Sequence, residues 1–315
     1  MKEVCVRAFA PATVANVGLG FDFMGFAVEG AGDRVEMRLS RNEKTTIRLE
    51  GKYGHMVPGD PSGNTAGVAC MALLTAIGSE QTGLDIRLEK NLPLGSGMGS
   101  SASSSAAALI ALNRLLDDPF TVEELIPFAM EGERTACGTA HADNVAPSLM
   151  GGFVIIRGYD PLDIIKLRCP DDLFCALIHP HVELKTSDSR RVLRKDVPLA
   201  DVTRQCANVA SFITGLFRGD FDLIGRSMHD ILAEPKRQQL IPGYELAREA
   251  AISSGAISCS ISGSGPSLFA LCKGKDSAVR AASSMQNALH QAGIGSDMHV
   301  TSVNAPGARI EHSCQ

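Results

Sequence analysis

The sequence lacks any apolar segment that approaches the ~18 residues needed to cross a bilayer, so no transmembrane helix is predicted. It also lacks a basic excess. With a formal net charge of −5 and a pI near 5.9, neither nucleic acid nor an anionic membrane is expected as a partner. The N-terminal residues show no apolar signal-peptide core, which favours a cytoplasmic protein. A small molecule is the expected partner.

The nine cysteines are scattered without the paired spacing of a disulfide framework or a zinc site. Cys70, Cys175 and Cys272 lie in apolar runs, so they are predicted to be buried, reduced thiols. The cysteine pattern therefore gives no sign of disulfide stabilisation.

The length of 315 residues and a hydrophobic content of 44% predict two ordinary globular domains. We place a nucleotide-binding domain at residues 1–165 and a second domain at 166–315, because a fresh strand pattern starts at Leu173 after a looser stretch. Both halves mix strands with helices, which predicts an α+β fold with helices over mainly antiparallel sheets. Predicted strands are 4–9, 34–39, 46–50, 84–89, 152–156, 173–178, 256–261, 267–271 and 297–303, and predicted helices are 65–77, 106–116, 121–135, 201–218, 220–233, 243–254 and 276–292.

A glycine-rich loop separates the predicted strand 84–89 from an alanine-rich helix. Glycine lets the backbone approach a ligand, and the first turn of a helix offers unpaired amide donors, so this context predicts phosphate binding. A flexible linker is disfavoured because no polar spacer separates the loop from the helix. The loop lacks the Gly-Lys-Ser/Thr ending of the common nucleotide loop, so another group must supply the counter-charge. Its sequence is Pro93-Leu94-Gly95-Ser96-Gly97-Met98-Gly99-Ser100-Ser101-Ala102-Ser103.

Two further segments combine glycine with polar side chains, Ala10–Asp22 and Ile261–Ser267. Each by itself is compatible with a simple hairpin turn. The order of the three motifs resembles that of the GHMP kinases, a family named for its galacto-, homoserine, mevalonate and phosphomevalonate kinases. Four local matches indicate the branch that acts on homoserine: Ala10–Asp22 with Met24-Gly25, His141–Pro147 with Gly151-Gly152, Thr186 with Arg190, and Ala233–Arg237 with Pro242-Gly243.

The resemblance implies a two-domain GHMP-kinase-like fold. Its N-terminal domain would be like domain 2 of ribosomal protein S5 and its C-terminal domain would be a ferredoxin-like α+β domain. It also implies ATP bound by the residues of the loop at 93–103, with contacts from Asn64 and Lys90. Ser101 and Glu133 would hold Mg²⁺, a hard ion that suits a hydroxyl, a carboxylate, phosphate oxygens and water. Glu131 is interpreted as a solvated helix charge.

The reaction implied is ATP-dependent phosphorylation of the side-chain hydroxyl of L-homoserine, a step of threonine synthesis, by a protein whose family often forms homodimers. Asp22 and Asn144 resemble the family's ammonium and hydroxyl contacts, with Asn16 beside them. Arg190 and Arg237 resemble a carboxylate clamp, because a guanidinium can bond both carboxylate oxygens.

Three assignments in the acceptor site stay open. Arg191 adds a second cation beside Arg190, so the clamp could be shifted by one residue. His141 is either a structural residue or a support for the substrate. Thr186 is predicted to orient the reacting hydroxyl, together with Asn144, because a neutral threonine hydroxyl is a poor base.

Two alternatives remain. The first is another GHMP kinase, acting on a small alcohol such as mevalonate or shikimate. Mevalonate has no ammonium, so it would give Asp22 no cation to bind. The second is a non-catalytic nucleotide or amino-acid sensor on the same fold, which would have little need for both Ser101 and Glu133.

Overall fold

A computed structural model describes residues 5–314, and these form two sheets with associated helices. The first sheet has seven strands, which are β1 (Cys5–Ala15), β2 (Met24–Leu39), β3 (Thr46–Glu50), β4 (Leu84–Glu89), β5 (Phe153–Tyr159), β6 (Leu162–Leu167) and β11 (Arg309–Cys314). The second has four, which are β7 (Leu173–Pro180), β8 (Ser258–Ile261), β9 (Leu268–Lys273) and β10 (Ser296–Ser302). The helices are α1 (Thr65–Ala76), α2 (Ser100–Leu115), α3 (Ile126–Cys137), α4 (Ala142–Met150), α5 (Thr186–Arg191), α6 (Leu199–Arg218), α7 (Phe221–Ser227), α8 (Glu234–Arg237), α9 (Tyr244–Ser253) and α10 (Lys275–Gln291).

The first sheet is built around the long strand β2, in the order β11-β1-β2-β4-β3, with β5 pairing with β2 and β6. All of its pairs are antiparallel except β3 with β4. Helices α2 and α4 pack against β1 and β2, and α1 and α3 pack against α2. The alanine-rich run Ala106–Leu112 in α2 is almost completely buried, because small side chains let this helix lie close to the strands.

The second sheet has the order β10-β7-β9-β8 and is antiparallel throughout. Helices α5 to α9 connect β7 to β8, and α10 connects β9 to β10, which gives the β-α-β-β-α-β pattern of a ferredoxin-like domain. The predicted α+β fold class is therefore confirmed.

Aromatic side chains join the two sheets. The Phe26 ring centre on β2 lies 5.9 Å from that of Phe269 on β9, and Phe153 on β5 lies 6.2 Å from Phe212 on α6. These residues belong to one apolar cluster that draws on both halves of the chain. Packing of this kind is rigid, so it fixes the position of one sheet relative to the other.

Most predicted elements are confirmed, but β2 begins ten residues before the predicted strand 34–39, and helices α4 and α5 were not predicted. Three further segments differ. The predicted helix 220–233 is wrong: α7 ends at Ser227, and the next helix starts at Glu234. Strands β6 and β11 were not predicted. Because β11 pairs with β1, residues 309–314 lie in the first sheet, whereas the sequence placed them with the second domain. The division near residue 165 stays a prediction.

Thr121 and Glu124 form the reciprocal bonds of the predicted capping box, with the Thr121 N–H donating to Glu124 Oε2 at 2.8 Å. Within residues 5–314, no helix combines the length and the apolar character needed to span a bilayer.

Candidate active site

A cavity of about 440 Å³ lies between the glycine loop, the N-terminal end of α4, helix α5 and the turn at residues 263–264. Its walls come from both halves of the chain. The positions of the individual side chains around it decide which of them can touch a ligand.

The glycine loop has the backbone conformation that its sequence predicts. Gly97 and Gly99 have φ of 74° and 65°, and Gly99 directly precedes α2. A Cβ at Gly97 would fall 2.4 Å from the carbonyl oxygen of Ser262, and one at Gly99 would fall 2.0 Å from Thr13 Oγ1. Both positions therefore require glycine.

Part of the loop lies outside the cavity. Pro93, Met98, Ala102 and Ser103 are not among the residues that line it. Met98 packs in the apolar core, and Ser103 Oγ donates to the carbonyl oxygen of Ala10 at 2.8 Å while it accepts from the Asp33 N–H at 2.9 Å. The prediction that all eleven residues contact the nucleotide is corrected for these four. The residues of the loop that line the cavity are Leu94, Gly95, Ser96, Gly97, Gly99, Ser100 and Ser101.

Glu133 on α3 presents an unpartnered carboxylate oxygen beside Ser101. The residue is 6% exposed, and its Oε1 has no hydrogen-bond partner among residues 5–314. Burial raises the pKa of Glu133, whereas the Ser101 hydroxyl and the positive charge of Lys90 lower it. A buried carboxylate oxygen that lacks a donor, next to a hydroxyl, fits the two protein ligands predicted for Mg²⁺.

Lys90 and Asn64 line the cavity, but their polar atoms are already bonded. Lys90 Nζ donates to Asp33, to the carbonyl oxygen of Ser100 and to Ser104 Oγ, so its three donors are all used. Asn64 accepts from the Ala66 N–H and donates to the carbonyl oxygen of Pro58. Lys90 therefore has no donor left for a nucleotide. Asn64 caps the start of α1, and its contact with a nucleotide stays a prediction.

Asp22 and Arg190 form a two-point ion pair on the other side of the cavity. Asp22 Oδ1 lies 3.0 Å from Arg190 Nη2, and Oδ2 lies 3.1 Å from Nη1. His141 Nε2 lies 3.2 Å from Arg190 Nη2. Burial lowers the pKa of His141, and the positive charge of Arg190 lowers it further, while Asp22 opposes both effects. The neutral imidazole can accept a hydrogen bond from Arg190.

The choice between Arg190 and its neighbour is settled by exposure. The Arg190 side chain is 38% exposed and lines the cavity, whereas that of Arg191 is 78% exposed and pairs with Asp188 on the outer surface. Arg190 is therefore the arginine at the candidate site.

Arg237 is only 3% exposed and lies beside the same cavity. Its Nε donates to the carbonyl oxygen of Ser189 at 3.3 Å and its Nη1 to that of Gly263 at 3.0 Å. Phe21, which sequence reasoning missed, lies under both cations: its ring centre is 5.1 Å from Arg237 Cζ and 5.7 Å from Arg190 Cζ. Its position next to Asp22 was the only signal available.

Asn16 lies beside Asp22 and lines the cavity. Its Oδ1 accepts from the Asp22 N–H and its Nδ2 donates to the carbonyl oxygen of Gly263, both at 2.8 Å. The amide thus connects the Asp22 segment to the second half of the chain. It has a second N–H and a second lone pair, so a contact with the substrate stays a prediction.

Asn144 and Thr186 both line the cavity, and their contact with the reacting hydroxyl stays a prediction. Thr13 Oγ1, which the sequence did not indicate, donates to Asn144 Oδ1 at 2.7 Å and so orients the amide. Thr186 Oγ1 lies 3.3 Å from Ser264 Oγ, and no carboxylate or imidazole contacts it among the described residues. This arrangement suits a hydrogen-bonding hydroxyl better than a base.

Asp143 is a cavity residue to which sequence reasoning assigned no role. It is 3% exposed, and its carboxyl interacts with its own backbone N–H. Burial, together with the negative charges of Asp22 and Glu133, raises its pKa to about 7. Asp22 and Glu133 lie on different sides of the cavity, and both are close enough to Asp143 to affect its pKa.

Comparison with known proteins matches this chain to two family models. Residues 64–152 match the GHMP kinases N-terminal domain, and residues 212–291 match the GHMP kinases C-terminal domain. A homoserine kinase of Chlorobium phaeobacteroides is 48% identical over 316 residues, with 97% of this chain and 99% of that protein covered. The chain belongs to the GHMP kinase family. As a kinase of this family it uses ATP.

Two further homoserine kinases are similar to this GHMP kinase over nearly its whole length. The homoserine kinase of Chlorobaculum tepidum is 48% identical, over 97% of this chain and 98% of that protein. The crystal structure of homoserine kinase from Cytophaga hutchinsonii superposes with a TM-score of 0.94 at 46% identity, covering 97% of each chain. A mevalonate kinase from L. major shares only the fold, with a TM-score of 0.71 at 16% identity over 93% of this chain and 95% of that chain.

Proposed function

We propose that this GHMP kinase transfers the γ-phosphoryl group of ATP to the side-chain hydroxyl of L-homoserine, which gives O-phospho-L-homoserine. The observation that carries the proposal is the pairing of Asp22 with Arg190 in the same cavity as the glycine loop. The two opposite charges lie side by side, as do the ammonium and carboxylate of an amino acid. The homoserine kinases that resemble the chain support the same acceptor.

The donor half of the site uses backbone more than side chains. Amide groups at the start of α2 and in the glycine loop would bind the phosphates of ATP, because the N-terminal end of a helix attracts anions. Val57, Pro58 and Leu88 line the same cavity and offer apolar surface to the adenine base. Ser101 and Glu133 would hold Mg²⁺, which would neutralise phosphate charge when bound.

The acceptor half uses charged side chains. The substrate ammonium would bind Asp22, and its carboxylate would bind Arg190 and Arg237. The Phe21 ring packs against both guanidinium groups and restricts their orientation. His141, a neighbour of Asp22 and Arg190, would hold Arg190 in place.

Transfer to the hydroxyl needs alignment more than covalent chemistry. Asn144, oriented by Thr13, and Thr186 would hydrogen-bond the reacting hydroxyl. Asp143 is the group with a pKa suited to accept its proton near neutral pH, because a base works best when its pKa lies close to the working pH.

Release of ADP in the presence of different acceptors tests the proposal. We expect turnover with L-homoserine and none above background with mevalonate or shikimate. Turnover with mevalonate would instead support the other kinase alternative. Binding of ATP without turnover on any acceptor would favour the sensor.

Replacement of Asp143 by Asn is expected to lower kcat about tenfold, a modest effect because proton transfer contributes little to a loose phosphoryl transition state. The pKa of Asp143 is raised from 3.8 to about 7, so the folded protein loses stability as the pH rises through that range and the buried carboxyl ionises. Asparagine cannot ionise. We therefore expect Asp143→Asn to raise the Tm at neutral pH and to remove the fall in kcat below about pH 7.

Asp188→Asn is the control, because this carboxylate is 44% exposed and pairs with Arg191 on the surface. Its pH profile and Tm should match those of the wild type. An Asp143→Asn protein that keeps the wild-type rate and pH profile would contradict the role of Asp143 as a base.

We also propose that the protein is a homodimer, for which helix α6 supplies support. Its outward face carries Leu199, Cys206, Ala210 and Phe217, with Leu199 81% and Phe217 76% exposed. These positions are symmetric about residue 208, so two antiparallel copies of α6 would place Leu199 against Phe217 and Cys206 against Ala210. Such self-complementarity is what a two-fold interface needs. The cytoplasmic location stays a prediction.

Phe217→Arg is expected to convert the dimer to monomer in sedimentation velocity, because the charge would be buried in the apolar contact. Leu246→Arg, at an apolar residue 48% exposed on α9, is the control and should leave the dimer intact. A wild-type monomer, or a dimer that survives Phe217→Arg, would contradict this interface.

A further inference from the structure

The segment that carries Arg237 is too short to keep its position without contacts to other parts of the chain. Helix α8 has four residues, and the side chain of Asp230 bonds the N–H groups just before it and at its first residue. Asp230 accepts from the Leu232 and Glu234 N–H groups at 2.8 Å and from the Ala233 N–H at 3.1 Å. The position of the Arg237 guanidinium therefore depends on where the Asp230 carboxylate is held.

Gln205 on α6 holds that carboxylate and the segment beside it. Its Nε2 donates to Asp230 Oδ1 at 3.2 Å and to the carbonyl oxygen of Leu19 at 2.8 Å, while its Oε1 accepts from the Ile231 N–H at 3.1 Å. The residue is 7% exposed and does not line the cavity. Its amide makes three hydrogen bonds. One is to the Leu19 segment and two are to the segment at residues 230–231, and these segments lead to two different walls of the acceptor site.

The Leu19 segment needs such support. Asn16, Val17 and Asp22 all have positive φ, at 65°, 42° and 60°. A positive φ is unfavourable for residues other than glycine, and most of all for a β-branched residue such as Val17. Contacts with the surrounding structure must therefore maintain it. The segment also places Phe21, on which Arg237 stacks.

We propose that Gln205 is a positioning residue that sets the separation between Asp22 and Arg237 and thereby the fit of the acceptor. One amide fixes the Asp22 segment through Leu19 and the Arg237 turn through Asp230. The inference rests on the proposed function, since it assumes that these two charges bind the two ends of an amino acid. It assigns no contact between Gln205 and either substrate.

The test compares steady-state constants for Gln205→Ala, Gln205→Met and Asn208→Ala. We expect Gln205→Ala to raise KM for L-homoserine about tenfold, the cost of misplacing one charge-assisted contact, while KM for ATP stays within about twofold. Gln205→Met fills the same space without hydrogen bonds, so it should behave like Gln205→Ala. Asn208 lies on the same helix and donates from Nδ2 to the carbonyl oxygen of His229 at 2.9 Å, so Asn208→Ala is the matched control and should be unchanged.

Asp230→Asn gives a second route if Gln205→Ala does not fold, and it should raise KM for L-homoserine in the same selective way. Recovery of the wild-type KM in Gln205→Met would show that Gln205 only packs, and would overturn the inference. So would an equal rise in KM for both substrates, or no rise for either. The wild-type rate with L-homoserine separates the two proposals, because its absence rejects the proposed function before any variant is compared.

Discussion

Glu133→Gln is expected to lower kcat by about two to three orders of magnitude, the size seen when a group that stabilises transition-state charge is removed. The carboxylate is buried beside Ser101, and its Oε1 lacks a hydrogen-bond donor from residues 5–314. A buried carboxylate oxygen without a donor is costly to keep ionised, and Mg²⁺ would offset that cost when bound. Glutamine keeps the shape but lacks the negative charge, so it binds Mg²⁺ weakly.

The same substitution is expected to raise stability in the absence of Mg²⁺. The pKa of Glu133 is raised in the folded protein, so ionisation at neutral pH disfavours folding, and a neutral amide avoids that cost. Glu131→Gln is the matched control, because Glu131 lies two residues away on the same helix, is 46% exposed and pairs with Arg134. Steady-state assays over a range of Mg²⁺ concentrations measure the first effect and thermal unfolding in a chelator the second. Equal rates for the two variants would reject Glu133 as a metal ligand.

Arg190→Ala is expected to raise KM for L-homoserine about a hundredfold, because a two-point charged contact is lost and each charged hydrogen bond contributes about 1.5–3 kcal/mol. Asp22 would also lose its partner, which bonds both of its oxygens at 3.0 and 3.1 Å. KM for ATP should change little, because Arg190 lies on the acceptor side of the cavity.

Arg191→Ala offers a control one residue along the chain, with a side chain 78% exposed and paired with Asp188. It should bind L-homoserine as the wild type does. Arg190→Lys separates charge from geometry: an ammonium keeps the charge but cannot form the two parallel bonds, so an intermediate KM is expected. Wild-type KM in Arg190→Ala would remove this residue from the acceptor site, and a defect in Arg191→Ala would move the clamp by one position.

Local patterns in the sequence were enough to predict much of the secondary structure. The strand 84–89, the glycine loop and the following helix are specified by neighbouring residues, and the capping box at Thr121 is a contact between residues three positions apart. The error at 220–233 has a local origin as well. The segment is helical in composition, but Asp230 bonds backbone N–H groups that would otherwise belong to a continuous helix.

For the candidate site, the sequence predicted some features and not others. Sequence motifs selected Asp22, Asn144, Arg190 and Arg237, and all four line one cavity although they are far apart in the chain. They did not reveal which polar groups remain available. Lys90 has the side chain of a phosphate-binding residue, but its three donors are all used by Asp33, Ser100 and Ser104.

The sequence by itself determined most of the strands and helices, the position of the glycine loop and the family resemblance, because these depend on residue types at short, fixed spacings. Only the tertiary structure decided that Arg190 rather than Arg191 faces the cavity, that Asp143 is buried there, and that the last strand returns to the first sheet. The physical reason is that burial and hydrogen-bond satisfaction depend on groups distant in sequence. A side chain's type states what it can bond, and only its neighbours determine whether that capacity is free.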